Sequence, residues 1–352
     1  VNSGLAAAWQ QQIGWCDKGG SPFSARVLEA AWSDWLAGGA LRALLPDWQG
    51  DPLADAVALR VAGALHSLVL EGIDPVLAAN YPPAKNQFDP DAGPPAVRNA
   101  LNSHRDRVAE YLRGPPQTNE IGRSAVLLGG FGLIASRTGL PLALRELGAS
   151  AGLNLLWHRY RYELGAVRWG DPTSPVVVRA DWQGAPPPLP LSIAVASACG
   201  CDTAPIDVGT PQAATRLASY VWPDQHERLQ RLRAAMALAA AERLQVEQID
   251  AAAFAARELA VTRHGEATVI YHSILWGYLR PETRRAIRES IELAGARATA
   301  AAPVAWLKFE PPDAQSRARL TLRLWPGGAR MTLAEAHPHA RVVYWGQQAE
   351  SH

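Results

Sequence analysis

The chain has 352 residues, 48% of them hydrophobic, with 34 basic and 33 acidic side chains and a formal net charge of +1. That length can bury a sizeable core and hold two domains, and a balance so close to neutral carries no electrostatic footprint for a polyanion. A nucleic-acid partner is therefore disfavoured against a compact, small-molecule substrate.

Residues 56–70 and 96–112 show helical periodicity on either side of a Pro- and Gly-rich stretch over 81–95, which predicts a helical domain over residues 1–115. Gln117-Thr118-Asn119-Glu120-Ile121-Gly122-Arg123 then leads into an apolar segment. Thr118 or Asn119 can cap the helix that follows, or Asn119 and Glu120 can offer hydrogen bonds, and Arg123 a planar cationic fork, to a ligand; both readings stay open.

The most informative stretch runs from Leu142 to Asn154, where an apolar run ends at Glu146 and the small residues Gly148, Ser150 and Gly152 follow at alternate positions. That order predicts a strand, a tight turn and a helix start, with Asn154 in the first helical turn. A turn without bulky side chains lets backbone approach a ligand, and the helix start behind it offers unpaired N–H groups. Gly148-Ala149-Ser150-Ala151-Gly152 also matches the G-x-S-x-G elbow of serine hydrolases, and Gly129-Gly130-Phe131-Gly132 resembles an oxyanion loop. Too little chain separates the two for a strand and a crossover, whose connection alone needs about 10–12 residues.

Residues 157–190 form an insertion, read as a hairpin and extended chain. A strand-like run over 192–198 leads to Cys199-Gly200-Cys201-Asp202-Thr203-Ala204-Pro205, and a second alternating run over 244–251 reaches Asp250. Between them, Trp222-Pro223-Asp224-Gln225 precedes a helix with Leu229, Leu232 and Met236 at helical spacing, expected to pack on the sheet. Residues 267–271 form the strongest strand, β-branched and aromatic, placing His272 and Ser273 at its carboxyl end; a helix over 281–293 and a strand over 304–309 ending at Glu310 come next. Strands over 320–325 and 331–333 flank Pro326-Gly327-Gly328, the loop pair His337 and His339 follows, and a last strand covers 341–345.

The Glu146-x-Gly148-x-Ser150-x-Gly152 spacing resembles motif I of the class I S-adenosylmethionine-dependent methyltransferases, with Ser150 in place of the middle glycine. The resemblance implies an α/β fold: a Rossmann-like, class I methyltransferase-type sheet over residues 116–352 with an antiparallel C-terminal edge, preceded by the helical domain. It implies S-adenosylmethionine as cofactor, with Glu146, Gly148, Ser150, Gly152 and Asn154 around its amino-acid part. Asn119, Glu120 and Arg123 would lie over it, Asp202 would take the ribose hydroxyls, Asp250 would sit beside the adenine, and Ser273 near the transferred group. For a base that removes a proton from a small acceptor the candidates are His272 first, then Glu310, His337 and His339. No Asn-Pro-Pro-aromatic sequence follows the fourth strand, which disfavours methylation of a nucleobase amino group. Two alternatives remain: a non-catalytic binding or regulatory protein that retains the fold, and a serine hydrolase using Ser150. Together with Leu65-His66-Ser67-Leu68 and His337-Pro338-His339, the motifs beginning at Gln117, Glu146 and Trp222 also resemble an uncharacterised bacterial domain family without an assigned activity, over nearly the whole chain.

Cys16, Cys199 and Cys201 form no even framework and suit a reducing compartment. Cys199 and Cys201 could supply half a metal site, but with no partner pair no metal is assigned. The longest apolar run, 125–135, is well short of the roughly 18 residues of a membrane span, and the N-terminus shows no basic region followed by an apolar core. The expectation is a cytoplasmic protein with no membrane partner and with an oligomeric state the sequence leaves open.

Overall fold

Apolar side chains at helical spacing dominate the first third of the chain, whereas runs of consecutive buried residues, as in Leu142–Leu147 and Ala267–Ser273, mark strands covered on both faces. The computed structural model describes residues 3–46, 48–313 and 316–349. Helices span Ser3–Lys18 (α1), Pro22–Leu36 (α2), Ala40–Leu44 (α3), Val57–Leu70 (α4), Pro75–Ala78 (α5), Gly93–Ser103 (α6), Arg105–Leu112 (α7), Ser124–Thr138 (α8), Pro211–Ser219 (α9), His226–Ala241 (α10), Ala251–Ala260 (α11) and Pro281–Arg297 (α12). Strands span Leu142–Leu147 (β1), Arg161–Leu164 (β2), Val167–Gly170 (β3), Val177–Gly184 (β4), Val195–Asp202 (β5), Glu247–Gln248 (β6), Ala267–Ser273 (β7), Val304–Glu310 (β8), Ala318–Trp325 (β9), Ala329–Ala336 (β10) and Val342–Ala349 (β11). Among the described residues no helix is long and apolar enough to cross a membrane.

The chain divides into two compact units: residues up to Thr118 with Thr210–Arg233, and Asn119–Gly209 with the chain from Ala234 onward. In the helical unit Trp9 stacks on Trp32 and Trp32 on Trp35, with Leu28, Val61, Leu65, Leu101 and Tyr111 buried around them. The Trp222-Pro223-Asp224-Gln225 motif fastens the turn between α1 and α2. Asp224 accepts from the Phe23 N–H (3.2 Å) and the Ser21 hydroxyl, Ser21 caps α2 through the Ser24 N–H, and the Gln225 amide donates to the Gly19 carbonyl (3.2 Å). His66 lies within hydrogen-bond distance of the Ser219 carbonyl (3.1 Å), and burial lowers its pKa to about 4. Thr210–Arg233, with the first half of α10, thus packs in the helical unit; the sequence reading had set α10 on the sheet.

The other unit is built on one sheet of eleven strands in the order β3-β2-β4-β11-β10-β9-β8-β7-β1-β5-β6. Strands β6, β5, β1, β7 and β8 are mutually parallel. From β8 the sheet turns antiparallel through β9, β10 and β11. The sequence predicted this ribbon as the sheet's edge. It is internal instead: β4 from the 157–190 insertion pairs in parallel with β11, and β2 and β3 extend the sheet beyond it. Helix α8, buried from Ser124 to Ile134, packs against the sheet, and Gly129 and Gly130 let it come close: a Cβ there would meet Trp345 and Leu307. The Gly129-Gly130-Phe131-Gly132 run is therefore helix interior, not an oxyanion loop.

The chain steps from β1 outward to β5 and β6, then returns to the other side of β1 for β7 and β8. The carboxyl ends of β1 and β7 therefore flank the point where strand order reverses, the position at which open α/β sheets hold ligands.

Candidate functional site

At that point β1 delivers Glu146, and the chain turns through Gly148, Ser150 and Gly152, all with left-handed backbone (φ +66°, +57° and +72°). For glycine this conformation is free, whereas for Ser150 it carries strain. The small residues read from the sequence are therefore required by the turn itself. A Cβ on Gly152 would strike Leu244, Val246 and Leu155, and one on Gly148 would strike Leu275.

The amides of the turn are already engaged by the protein. Gly148 N–H is directed at the Cys201 sulfur, Ala149 N–H donates to the Cys201 carbonyl (2.9 Å), Ser150 N–H to Asp202 Oδ2 (2.9 Å), Gly152 N–H to the Ala149 carbonyl (2.7 Å) and Leu153 N–H to Asn119 Oδ1 (2.9 Å). Asp202 closes its own loop with the other oxygen, which accepts from Ala204 N–H (2.9 Å). Asn119 thus caps the short helix Leu153–Arg159 rather than the helix after it, and Glu120 caps Ile121–Arg123 through the Gly122 N–H (2.8 Å). The Glu120 carbonyl accepts from Asn154 Nδ2 (3.3 Å), so Asn119 and Glu120 bind the approach segment to the turn.

Glu146 is 2% exposed, with the Tyr271 hydroxyl 3.3 Å from Oε2. Burial pushes its pKa up to about 8, against the hydrogen bond from Tyr271 and the nearby positive charge of Arg123. Two hydrogen-bonding atoms beside it are buried without a partner, Asn154 Oδ1 and Ser150 Oγ, and Asn154 is 1% exposed. Buried polar atoms without partners are rare in native structures and mark places where a water, ion or ligand completes the site. Arg123 ties two further segments to this region, donating to the Ser273 carbonyl at the end of β7 and to the Pro338 carbonyl, both at 3.2 Å. His337 Nδ1 accepts from the His339 N–H (3.1 Å), and the two rings stand 5.2 Å apart.

Of the residues the sequence singled out, Asn119, Glu120, Arg123, Glu146, Gly148, Ser150, Gly152, Asn154, Asp202 and Ser273 come together, with His337 and His339 on the loop that Arg123 holds. Asp250 does not join them. The expected strand over 244–251 shrinks to the two residues of β6, because Leu244 and Val246 cover Gly152 instead of pairing; Asp250 follows it and caps α11 through the Ala252 and Ala253 N–H groups. His272 is wholly buried and both ring nitrogens are engaged. Trp306 Nε1–H, a donor only, approaches Nε2 (3.3 Å), which leaves the proton on Nδ1 to donate to Glu310 Oε1 (2.6 Å). A histidine so satisfied has no nitrogen left to take a proton from an acceptor. Ser150 Oγ has no hydrogen-bond partner, hence no base, which removes the nucleophile elbow. Tyr271, missed in the sequence, contacts both Glu146 and Asn154; it sits one strand over at the same level as Glu146, a register that alternation in β7 alone does not disclose. A groove of about 470 Å³, lined by residues 205–209 and 243–246 among others, shares Leu244 and Val246 with the wall of the turn. Among the described residues no three His, Cys, Asp or Glu side chains are gathered as a metal site.

The family model of an uncharacterized protein conserved in bacteria, DUF2332, matches residues 6–345. The chain belongs to that family. No curated protein and no solved structure matches it. The DUF2332 match takes in residues of both units.

Proposed function

We propose that this DUF2332 protein binds S-adenosylmethionine at the Glu146–Gly152 turn and transfers its methyl group to a small acceptor. The observation that carries the reading is the state of the turn's amides. A dinucleotide or nucleoside triphosphate needs such N–H groups for phosphate oxygens, but here Asp202 and Asn119 accept from two of them, and the Asp202 carboxylate lies on the turn itself. A ligand with an ammonium or sulfonium centre and no phosphate suits that field; an anion does not. The order β6-β5-β1-β7-β8 also follows the 3-2-1-4-5 order of doubly wound nucleotide-binding sheets.

The donor set fits the group. Asn154 Oδ1 and the Glu146 carboxyl are acceptors for an α-ammonium, and Asp202, with two of its lone-pair sites used, keeps sites for ribose hydroxyls. Bound there, the cofactor would supply an already activated methyl group. The protein's part is to align the acceptor beside Ser273 and the Arg123-held loop, where His339 is the residue to take a proton; both nitrogens of His337 lie against donors, the His339 N–H and Arg341. His272 and Glu310 are not proposed as bases, because they satisfy each other. A non-catalytic binding protein uses the same site and differs only in turnover. Calorimetry with S-adenosylhomocysteine tests the binding; methyl transfer to the protein's own metabolite extract, followed by mass spectrometry, separates enzyme from binder.

A further inference from the structure

The helical unit has a polar corner of its own, where α4 meets α7 and α9. Tyr220, at the end of α9, lays its ring on Gly63 of α4, where a Cβ would come within 2.7 Å of it, and stands 5.8 Å from the Tyr111 ring. Tyr220 is 4% exposed, and its hydroxyl is buried with no hydrogen-bond partner. Burial pushes its pKa up to about 12, Arg216 and Arg60 pull it down, and Tyr111 and Glu110 add to the rise, so these four groups face the hydroxyl. The two arginines have donors to spare. Arg60, itself buried, gives Nε to the Asp55 carbonyl (2.7 Å) and Nη1 to the Leu112 carbonyl (2.8 Å), while Nη2 stays 3.9 Å from the Asp55 carboxylate, beyond hydrogen-bond reach. Arg216 lies over the Tyr111 ring at 4.4 Å, and its Nη1 reaches Glu110 only at 3.5 Å. Its Nη2 borders open space: a Cβ on Gly114 would find nothing else within 4 Å, and that nitrogen only at 3.9 Å.

We propose that this corner binds a carboxylate, with Arg216 as its outer contact, the Tyr220 hydroxyl as its inner one and Arg60 as a buried positive charge beside them. Three donors, the hydroxyl and the two Nη2 groups, lack acceptors among the described residues, and such a gathering marks a place that an acceptor completes. A carboxylate accepts through two oxygens and about four lone-pair sites, and it pairs side by side with a guanidinium. The charge balance selects a single negative charge. Asp55 and Glu110 already stand opposite the two guanidiniums, though loosely, which leaves too weak a positive field for the double charge of a phosphate. The assignment is independent of the cofactor reading, because every group in it belongs to the helical unit.

The test is a titration of the full-length protein with acetate, followed by amide chemical shifts, with ionic strength held constant by chloride. The expected result is saturable shifts at Arg113, Gly114 and Tyr220, and an affinity reduced at least about tenfold in Arg216→Met and in Tyr220→Phe, since each removes a hydrogen bond to a charged group. Tyr220→Phe keeps the ring on Gly63 and loses only an unpartnered hydroxyl, so without acetate it should be at least as stable as wild type in urea. Absent shifts, shifts that chloride alone reproduces, or an affinity unchanged in both variants overturn the site. A Tyr220→Phe protein that is less stable yet binds acetate like wild type overturns the role of the hydroxyl, which then belongs to an internal water. Tighter binding of inorganic phosphate than of acetate at the same amides overturns the carboxylate assignment.

Discussion

Replacing Ser150 by glycine should stabilise the protein, although glycine usually costs stability. Ser150 has φ +57°, and its hydroxyl is buried without a partner. Relief of left-handed strain contributes about 1–2 kcal/mol, and removal of a buried unsatisfied hydroxyl about 1 kcal/mol or more. Against these stand about 0.5–1 kcal/mol for the freedom glycine gains in the unfolded chain and about 0.8 kcal/mol for the buried methylene. The net is a gain of about 1 kcal/mol, read as a rise in the urea midpoint at unchanged slope. The same variant should bind S-adenosylhomocysteine at near wild-type strength, since glycine is the residue this turn prefers, and neither protein should react with a fluorophosphonate serine probe. A loss of more than about 1 kcal/mol would refute the reasoning, for it would mean that the hydroxyl makes a bond the turn depends on; stoichiometric labelling at Ser150 would restore the hydrolase.

Glu146 makes stability fall as pH rises. Below its ordinary value of 4.5 it is protonated in folded and unfolded chains alike, and between 4.5 and about 8 the unfolded chain ionises first, so up to about 1.4 kcal/mol is lost per pH unit. Glu146→Gln should therefore be near neutral at pH 4 and clearly stabilising at pH 8 in urea titrations; equal effects at both would show that Glu146 is not buried as a neutral acid. Asp224→Ala should cost about 1–3 kcal/mol through loss of the Ser21 and Phe23 bonds, with S-adenosylhomocysteine affinity unchanged in the folded protein. Arg123→Ala should speed amide exchange of the 337–340 loop by releasing the Pro338 carbonyl; no change there would show that the guanidinium does not hold the loop.

Most of the sheet's parallel core was legible because buried strands have a composition of their own. Leu142–Leu147, Ala267–Ser273 and Val304–Glu310 are almost wholly buried, and each reads as a mostly apolar run with polar residues at or beside its end. The turn was legible because left-handed backbone demands glycine or a small residue at alternate positions. Strand β5 was displaced: the apolar run starting at 192 precedes it in part, and the strand itself runs through Ser197, Cys199 and Cys201, residues that look like a loop but pair with β1. Asp250 misled because the same aspartate that ends a strand pattern is also a good N-cap, and local capping prevailed over a two-residue strand. Long-range facts were out of reach. That Asp224 answers to Ser21, that β4 pairs with β11, or that Glu310 saturates His272 depends on contacts between distant positions that no local pattern encodes.

The central claim, that the Glu146–Gly152 turn takes a cationic cofactor without phosphate, is tested most directly by isothermal titration of the wild-type protein with S-adenosylhomocysteine, NAD and ATP side by side. The account predicts saturable heat with S-adenosylhomocysteine, weakened in Asp202→Ala, and none with the two phosphate-bearing ligands. Saturable binding of NAD or ATP that is lost on altering the turn, or no heat with S-adenosylhomocysteine at millimolar concentration, would contradict it.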